Sequence, residues 1–239
     1  MGRNLINSFL ENDKDITSSQ ATEFFPEILN KVIDSVTGDD LSFLTEERFE
    51  NAIDENFVKP TWSDIQRNYP ATSTFTKDLY DEIGGGLPQA LIDNPDAYEN
   101  SCAIRMSKAL NYSGVFLPKA PSKGGNIRGK DRRNYWIRIK DLKKYLLDNL
   151  KKPTVDKKGG VGVVENFKNK HGIIVFDVSG GNNAGGHFTL WDGIDLLYVG
   201  AETPEHNDPT NESMYYFSMN YMQGTVNVKT TRIRLWELK

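Results

Sequence analysis

The sequence is poor in the residues that build most metal and redox sites. Cys102 is the only cysteine in 239 residues. One thiol excludes internal disulfides, and it excludes thiolate zinc clusters, which need several ligands at short spacing. Histidine is scarce too: of His171, His187 and His206, the first and last lack partners at metal-ligating spacing and read as surface residues. No metal or cofactor is therefore expected. Long apolar runs are missing, since nothing approaches the roughly 20 residues needed to cross a bilayer. The opening stretch MGRNLINSFLENDKD has too short an apolar segment and the wrong charges for a secretory signal. Ile6 stands where myristoylation needs Ser or Thr. A concentrated Lys/Arg stripe is also absent, which argues against a nucleic-acid partner.

What is present supports a folded protein. Hydrophobic residues make up 38% and aromatics 11%, enough for a genuine core in one large domain or one domain with an appendage. The net charge of −4 hides an asymmetry. Residues 1–57 hold 13 acidic and 4 basic side chains, whereas residues 58–239 hold 20 acidic and 25 basic. We read 1–57 as an acidic helical extension and 58–239 as the main domain, with Lys59-Pro60 at the boundary. A mildly basic body suits an acidic polymer or an acidic partner. The extension would either cover a site on that body or dock onto other machinery.

Within the extension, Phe25, Ile28, Leu29, Val32, Ile33 and Val36 recur at helical spacing, and Leu44, Phe49 and Ile53 suggest a second helix. In the body, PTWSDIQRNYP and TKDLYDEI read as short helices, followed by a turn at Gly84–Gly86. Cys102, Met106, Ala109 and Leu110 share one helical face, and either Asn94-Pro95 or Asn100-Ser101 starts that helix. Only the second start puts the thiol at the positive end of the helix dipole. YWIRI reads as a strand and DLKKYLLDNLKKP as a helix, with Leu142, Leu146 and Leu150 in register. GIIVFDVSG is apolar enough for a strand buried on both faces. HFTLWDG continues as a strand into a two-residue turn at Asp192-Gly193, pairing Trp191 with Ile194. PEHNDPTNES reads as a polar loop, and VNVKTTRIRLWELK as a closing strand. Helices first and an antiparallel sheet after is an α+β pattern.

A lone cysteine opening a helix and a histidine opening a strand, 85 residues apart, are the minimum apparatus of a thiol nucleophile and its base. The thiolate is the reactive form, and a neighbouring imidazolium stabilises it. The strings ENSCAIRMSKALNYSGV, YWIRIKDLKKYL and KHGIIVFDVSGGNNAGGHFTLWDG occur in that order, with IGGG upstream. Together they resemble the type VI secretion amidase effectors, family 4, over about residues 60–217. The resemblance implies a papain-like, NlpC-type fold. It also implies a toxin injected into rival bacteria, where it cuts the peptidoglycan stem peptide between D-glutamate and meso-diaminopimelate.

Carried over by residue, the resemblance makes Cys102 the nucleophile and His187 the general base. The thiolate would attack the γ-carbonyl of the glutamyl residue and form a thioester that water releases, with the Cys102 N–H as one oxyanion donor. The family places an aspartate eleven residues after its histidine, but here that position is Tyr198. Asp195 is the chosen orienter of His187, with Asp192, Glu202 and the Tyr198 hydroxyl as alternatives. Arg105 would either form a structural salt bridge or bind a stem-peptide carboxylate. Lys123, Arg128, Lys130, Arg132 and Arg133 form a solvated loop or border a polymer-binding groove. Expected partners are the stem peptide, a cognate immunity protein and type VI secretion components. The expected path is synthesis in the cytoplasm, secretion, and action in a recipient's periplasm. A self-directed wall hydrolase and a non-catalytic binding module with the same fold are the competing readings.

Overall fold

A computed structural model describes residues 57–71, 73–180, 185–200 and 209–239, the side chains of 209–213 excepted. The two helices expected before residue 57 lie outside the described residues. Helix α1 (Trp62–Asn68) starts where expected, with the Thr61 hydroxyl accepting the Asp64 N–H at 3.1 Å. The Trp62 N–H donates to the carbonyl of Lys239, so the start of the body is tied to its last residue. Helix α2 (Thr76–Ile83) buries Thr76, Leu79, Tyr80 and Ile83, the i, i+3, i+4, i+7 set of one helical face.

Three glycines then turn the chain, as their run predicts. Gly84 and Gly85 both have φ +66, in the half of conformational space that favours glycine. A Cβ on Gly85 would lie 2.0 Å from the Arg128 carbonyl oxygen, so the turn also admits a second strand of backbone. Helices α3 (Leu87–Asp93) and α4 (Pro95–Tyr98) follow. Asn94 caps α4 alone, its side chain accepting the Ala97 N–H. The next helix, α5 (Cys102–Tyr112), starts separately after Ser101. Of the two possible starts, the one that places the thiol in the first turn is realised.

The sequence pattern gives α5 one apolar stripe, but the structure buries Cys102 to Ser107 without a gap, and Ala109 to Asn111 as well. A helix buried all round is a central one. Strands β1 (Asn126–Arg128) and β2 (Asn134–Trp136) form a small antiparallel ribbon beside it. The YWIRI strand is cut short because helix α6 (Ile139–Leu150) begins within it.

Strands β3 (Val155–Lys157), β4 (Gly172–Ser179), β5 (Gly186–Trp191), β6 (Asn220–Gln223) and β7 (Val226–Glu237) form one antiparallel sheet. Its order is β3-β7-β4-β5, with β6 pairing the start of β7. Strand β4 is buried on both faces at its start, as its apolar run requires. Ile173 and Val175 face the core with Met106, Leu110, Leu142, Leu146, Phe188 and Leu190. Ile174 and Phe176 face a second core with Trp191, Phe217, Ile233 and Leu235. Each such side chain contributes about 1.5–3 kcal/mol by leaving water.

Two expectations fail here. Trp191 pairs with Leu196, not Ile194, so the turn spans four residues, 192–195. Asp192 makes the difference, because its Oδ1 accepts the N–H groups of Ile194 at 2.8 Å and Asp195 at 2.7 Å. The second half of the expected polar loop is helical: α7 spans Pro209–Ser218. Phe217 anchors this helix, with its ring 5.2 Å from Phe167, 5.1 Å from Phe176 and 5.2 Å from Trp191. A polar stretch read alone gives no hint of that contact. Among the described residues, no helix is long and apolar enough to cross a membrane.

The two kinds of glycine position predict different mutational costs. Gly85→Ala forces a Cβ into the Arg128 carbonyl and should cost about 2–4 kcal/mol. Gly114→Ala has φ +89 but open space around it, so it should cost about 1 kcal/mol. Urea unfolding of the three proteins measures both differences.

Candidate active site

Cys102 is the first residue of α5, and its side chain is buried. The main-chain N–H groups of Phe188, Ala103 and Cys102 itself favour the anionic form of the sulfur. Burial pushes the thiol up to about 11, while the Phe188 N–H, the Ala103 N–H, the Arg105 charge and its own N–H pull the other way. The resting group is therefore a thiol, held in a cradle of donors that would favour its anion.

His187 lies on β5, the edge strand of the sheet order. Alternation along β5 sends Phe188 and Leu190 into the core around α5. His187 instead stacks on Tyr216 of α7, with ring centroids 4.4 Å apart and an 18° tilt, and Phe176 lies beyond at 6.5 Å. Thiol and imidazole thus reach the outer edge of β5 from its two faces. No hydrogen bond joins them in the resting structure. Burial holds the imidazole down to about 4; the Tyr198 carbonyl opposes this and the Arg105 charge adds to it. His187 Nε2 lies 2.8 Å from the Tyr198 carbonyl oxygen. A carbonyl only accepts, so the neutral ring carries its proton on Nε2 and keeps a lone pair on Nδ1.

Tyr198 is held at every polar point. Its N–H donates to the Thr189 hydroxyl at 3.1 Å, and that hydroxyl also accepts from Tyr69 at 3.2 Å. Its own hydroxyl lies 3.2 Å from Ser101 Oγ. Arg105 Cζ sits 3.9 Å from the centre of its ring. Arg105 is fully buried. Its Nε donates to Ser101 Oγ at 2.9 Å, and its two amino groups donate to the carbonyls of Pro70, Ala71 and Thr74. Ser101 makes no capping hydrogen bond; its hydroxyl also receives Thr76 Oγ1 at 2.8 Å.

Asp195 sits in the four-residue turn, with its N–H on Asp192 Oδ1, and the group found on His187 Nε2 is the Tyr198 main chain. Asp192 is occupied in closing that turn. Glu202 lies outside the described residues. Arg105 donates to main-chain oxygens and to Ser101 in the interior. Arg105 and Ser101 are members of the site that pattern reasoning undervalued. The one signal for them is spacing, since i and i+4 share a helical face. Of the basic loop, Arg133 stacks over Tyr112 at 4.1 Å and donates to the Asn111 carbonyl, while Lys123, Arg128, Lys130 and Arg132 are exposed. Trp191 is core, with its indole N–H on the Phe167 carbonyl. His171 is partly exposed and packs on Trp62; His206 is outside the described residues. Among the described residues, no group of three His, Cys, Asp or Glu could hold a metal.

A buried thiol opening a central helix that packs against an antiparallel sheet, with a buried imidazole on the sheet's edge strand, is the arrangement of the papain-like class of α+β folds. The family model for type VI secretion system amidase effector protein 4, Tae4, matches residues 98–236, more than half the chain, and the chain belongs to that family. Among solved structures, Tae4 of the Enterobacter cloacae effector–immunity complex Tae4–Tai4 is 25% identical, with TM-score 0.58 over 76% of this chain and 100% of that one. Tae4 in the corresponding complex from Salmonella Typhimurium is 23% identical, with TM-score 0.54 over the same shares. Tae4 of Enterobacter cloacae alone is 24% identical, with TM-score 0.53 over 76% of this chain and 98% of that one. No curated protein matches.

The depressed His187 predicts an acid-sensitive fold. An unfolded histidine takes a proton near pH 6.5, and this one near pH 4 when folded. Between those values the unfolded state binds the extra proton, so stability is full above pH 6.5 and drains as pH falls toward 4. From pH 7 to pH 5 the loss attributable to this group should be about 2 kcal/mol. Urea unfolding of His187→Gln beside the parent should show a correspondingly shallower decline across that interval.

Proposed function

We propose that this chain is a peptidoglycan amidase toxin that cleaves the D-glutamyl–meso-diaminopimelate bond of the stem peptide through a Cys102 thioester. The carrying observation is the placement of Cys102: buried in the first turn of α5, which packs against β5, the strand that carries His187. His187 Nδ1, the nitrogen with the lone pair, takes the thiol proton as sulfur attacks the γ-carbonyl of the glutamyl residue. Negative charge moves to the carbonyl oxygen, where the Cys102 N–H and the N-terminal end of α5 stabilise it. The imidazolium returns the proton to the leaving amine of diaminopimelate, and the bond breaks to leave a thioester. Water, deprotonated by the same Nδ1, hydrolyses the thioester and restores the thiol. For the first transfer, sulfur and Nδ1 must come closer than the resting structure holds them, a tightening that many enzymes reserve for the substrate complex.

Membership of the family supports delivery by type VI secretion into a neighbouring cell, with action on the wall in its periplasm. The Enterobacter and Salmonella relatives were solved with the immunity protein Tai4. By that analogy, this chain is neutralised by a cognate immunity protein, for which the mildly basic body offers an electrostatic partner.

Cys102→Ala and His187→Ala should each lower turnover of purified peptidoglycan by at least about a thousandfold. The double variant should be no worse than either single one, because the two groups act as a unit. Product analysis by mass spectrometry should show a new diaminopimelate amine in the parent digest alone. Substantial hydrolysis by Cys102→Ala would end the thioester mechanism.

A further inference from the structure

We propose that the main-chain carbonyl of Tyr198 orients His187, and that Arg105 and Ser101, by clamping Tyr198, tie that carbonyl to the start of the nucleophile helix. The inference deepens the thioester reading above and rests on it. An imidazole that acts as a base needs a partner on its far nitrogen to hold the ring and fix which nitrogen is bare. Here the partner is an oxygen at 2.8 Å belonging to a peptide group, not to a carboxylate. Among the described residues, the charge that acts on the ring is that of Arg105, and the rings of Tyr198 and Tyr216 lie beside it.

A peptide carbonyl serves this role only if the peptide is rigid, and Tyr198 is restrained at several points. Its N–H, hydroxyl and ring face are each engaged, by Thr189, Ser101 and Arg105. Ser101 and Arg105 flank Cys102 in sequence, at N-cap and one turn on. The same three side chains therefore set the start of α5, which carries the sulfur, and the acceptor that aims the imidazole. Tyr198, Ser101 and Arg105 are positioning residues in this scheme. Because the acceptor is main chain, the residue at position 198 need not be acidic. It must be large enough, and anchored enough, to hold its own backbone still.

The test uses the full chain on purified peptidoglycan, with kcat, KM and the pH profile as readouts. Tyr198→Phe keeps ring and carbonyl but loses the hydroxyl's contact with Ser101, and should fall between the parent and Tyr198→Ala in kcat. Tyr198→Ala removes the clamp and should lose about thirtyfold or more in kcat, with KM changed by less than about threefold. Asp195→Asn and Glu202→Gln should leave kcat and the acid limb of kcat/KM unchanged. A tenfold loss with a shifted acid limb in either carboxylate variant would overturn the proposal, as would a folded Tyr198→Ala at full rate. An activity-independent arm uses long-range ¹⁵N–¹H NMR of the histidines in Cys102→Ala. His187 should carry its proton on Nε2, protected from exchange, and a proton on Nδ1 or an unprotected Nε2–H would also overturn it. This arm and the carboxylate variants decide the matter if Tyr198→Ala does not fold. Loss of the thioester reading would appear instead as hydrolysis by Cys102→Ala, with the NMR result intact.

Discussion

A guanidinium without solvent exposure is the constraint around which the rest of the site is arranged. Desolvating a charge of this kind costs several kcal/mol unless each donor finds an acceptor. Arg105 finds them in the Pro70, Ala71 and Thr74 carbonyls and the Ser101 hydroxyl, and it lays its face on Tyr198. Satisfying one cation thus determines where the loop before α2 runs, which rotamer Ser101 takes and where the ring of Tyr198 lies. The nucleophile, three residues earlier on the same helix, inherits that rigidity.

The electrostatics of the pair follow from the same burial. Arg105 lowers the cost of a thiolate at Cys102 and raises the cost of an imidazolium at His187. A positive neighbour therefore pushes the two groups in opposite senses with respect to ion-pair formation. With desolvation the larger influence on both, the resting pair is neutral thiol and neutral imidazole. A thiolate would form at the moment of proton transfer and be held by main-chain donors, which is the economical arrangement in a dry site. The contrast with a carboxylate-backed imidazole is physical: a carbonyl dipole orients the ring without holding a full charge against it.

A neutral acceptor also changes what the surrounding chain must provide. A carboxylate can orient a ring by its charge at some distance, but a carbonyl must be held at hydrogen-bond range. The cost shifts to local order. It is met by the hydroxyl of Thr189 beneath the Tyr198 N–H and by Tyr216, which stacks on the imidazole while donating to the Val199 carbonyl at 3.0 Å. Gly200 closes the arrangement: a Cβ there would lie 2.8 Å from the Tyr216 oxygen and 3.4 Å from His187 Cε1.

Periodicity and the chemistry of single residues were enough to place α1, α2, the thiol helix, α6, β4, β5 and β7, because each is specified by contacts within its own span. The scarcity of cysteine and histidine singles out Cys102 and His187 as candidates, and the eleven-residue interval that the resemblance implies falls on Tyr198, an alternative to Asp195. The main-chain contact on His187 Nε2 lies beyond such a reading, which considers side chains. No pattern of side chains encodes a carbonyl's direction. The Asx turn of Asp192 lengthens the hairpin and places Asp195 at the last position of a four-residue turn, which a two-residue turn signal does not foresee. Helix α7 was read as loop because its anchor, Phe217, finds partners from three distant parts of the chain. The tertiary structure alone decided that Arg105 is interior, that Ser101 is a hub and not a cap, and that thiol and imidazole approach one strand edge from opposite faces. Each of these depends on groups far apart in sequence meeting in a medium where unpaired polarity is expensive.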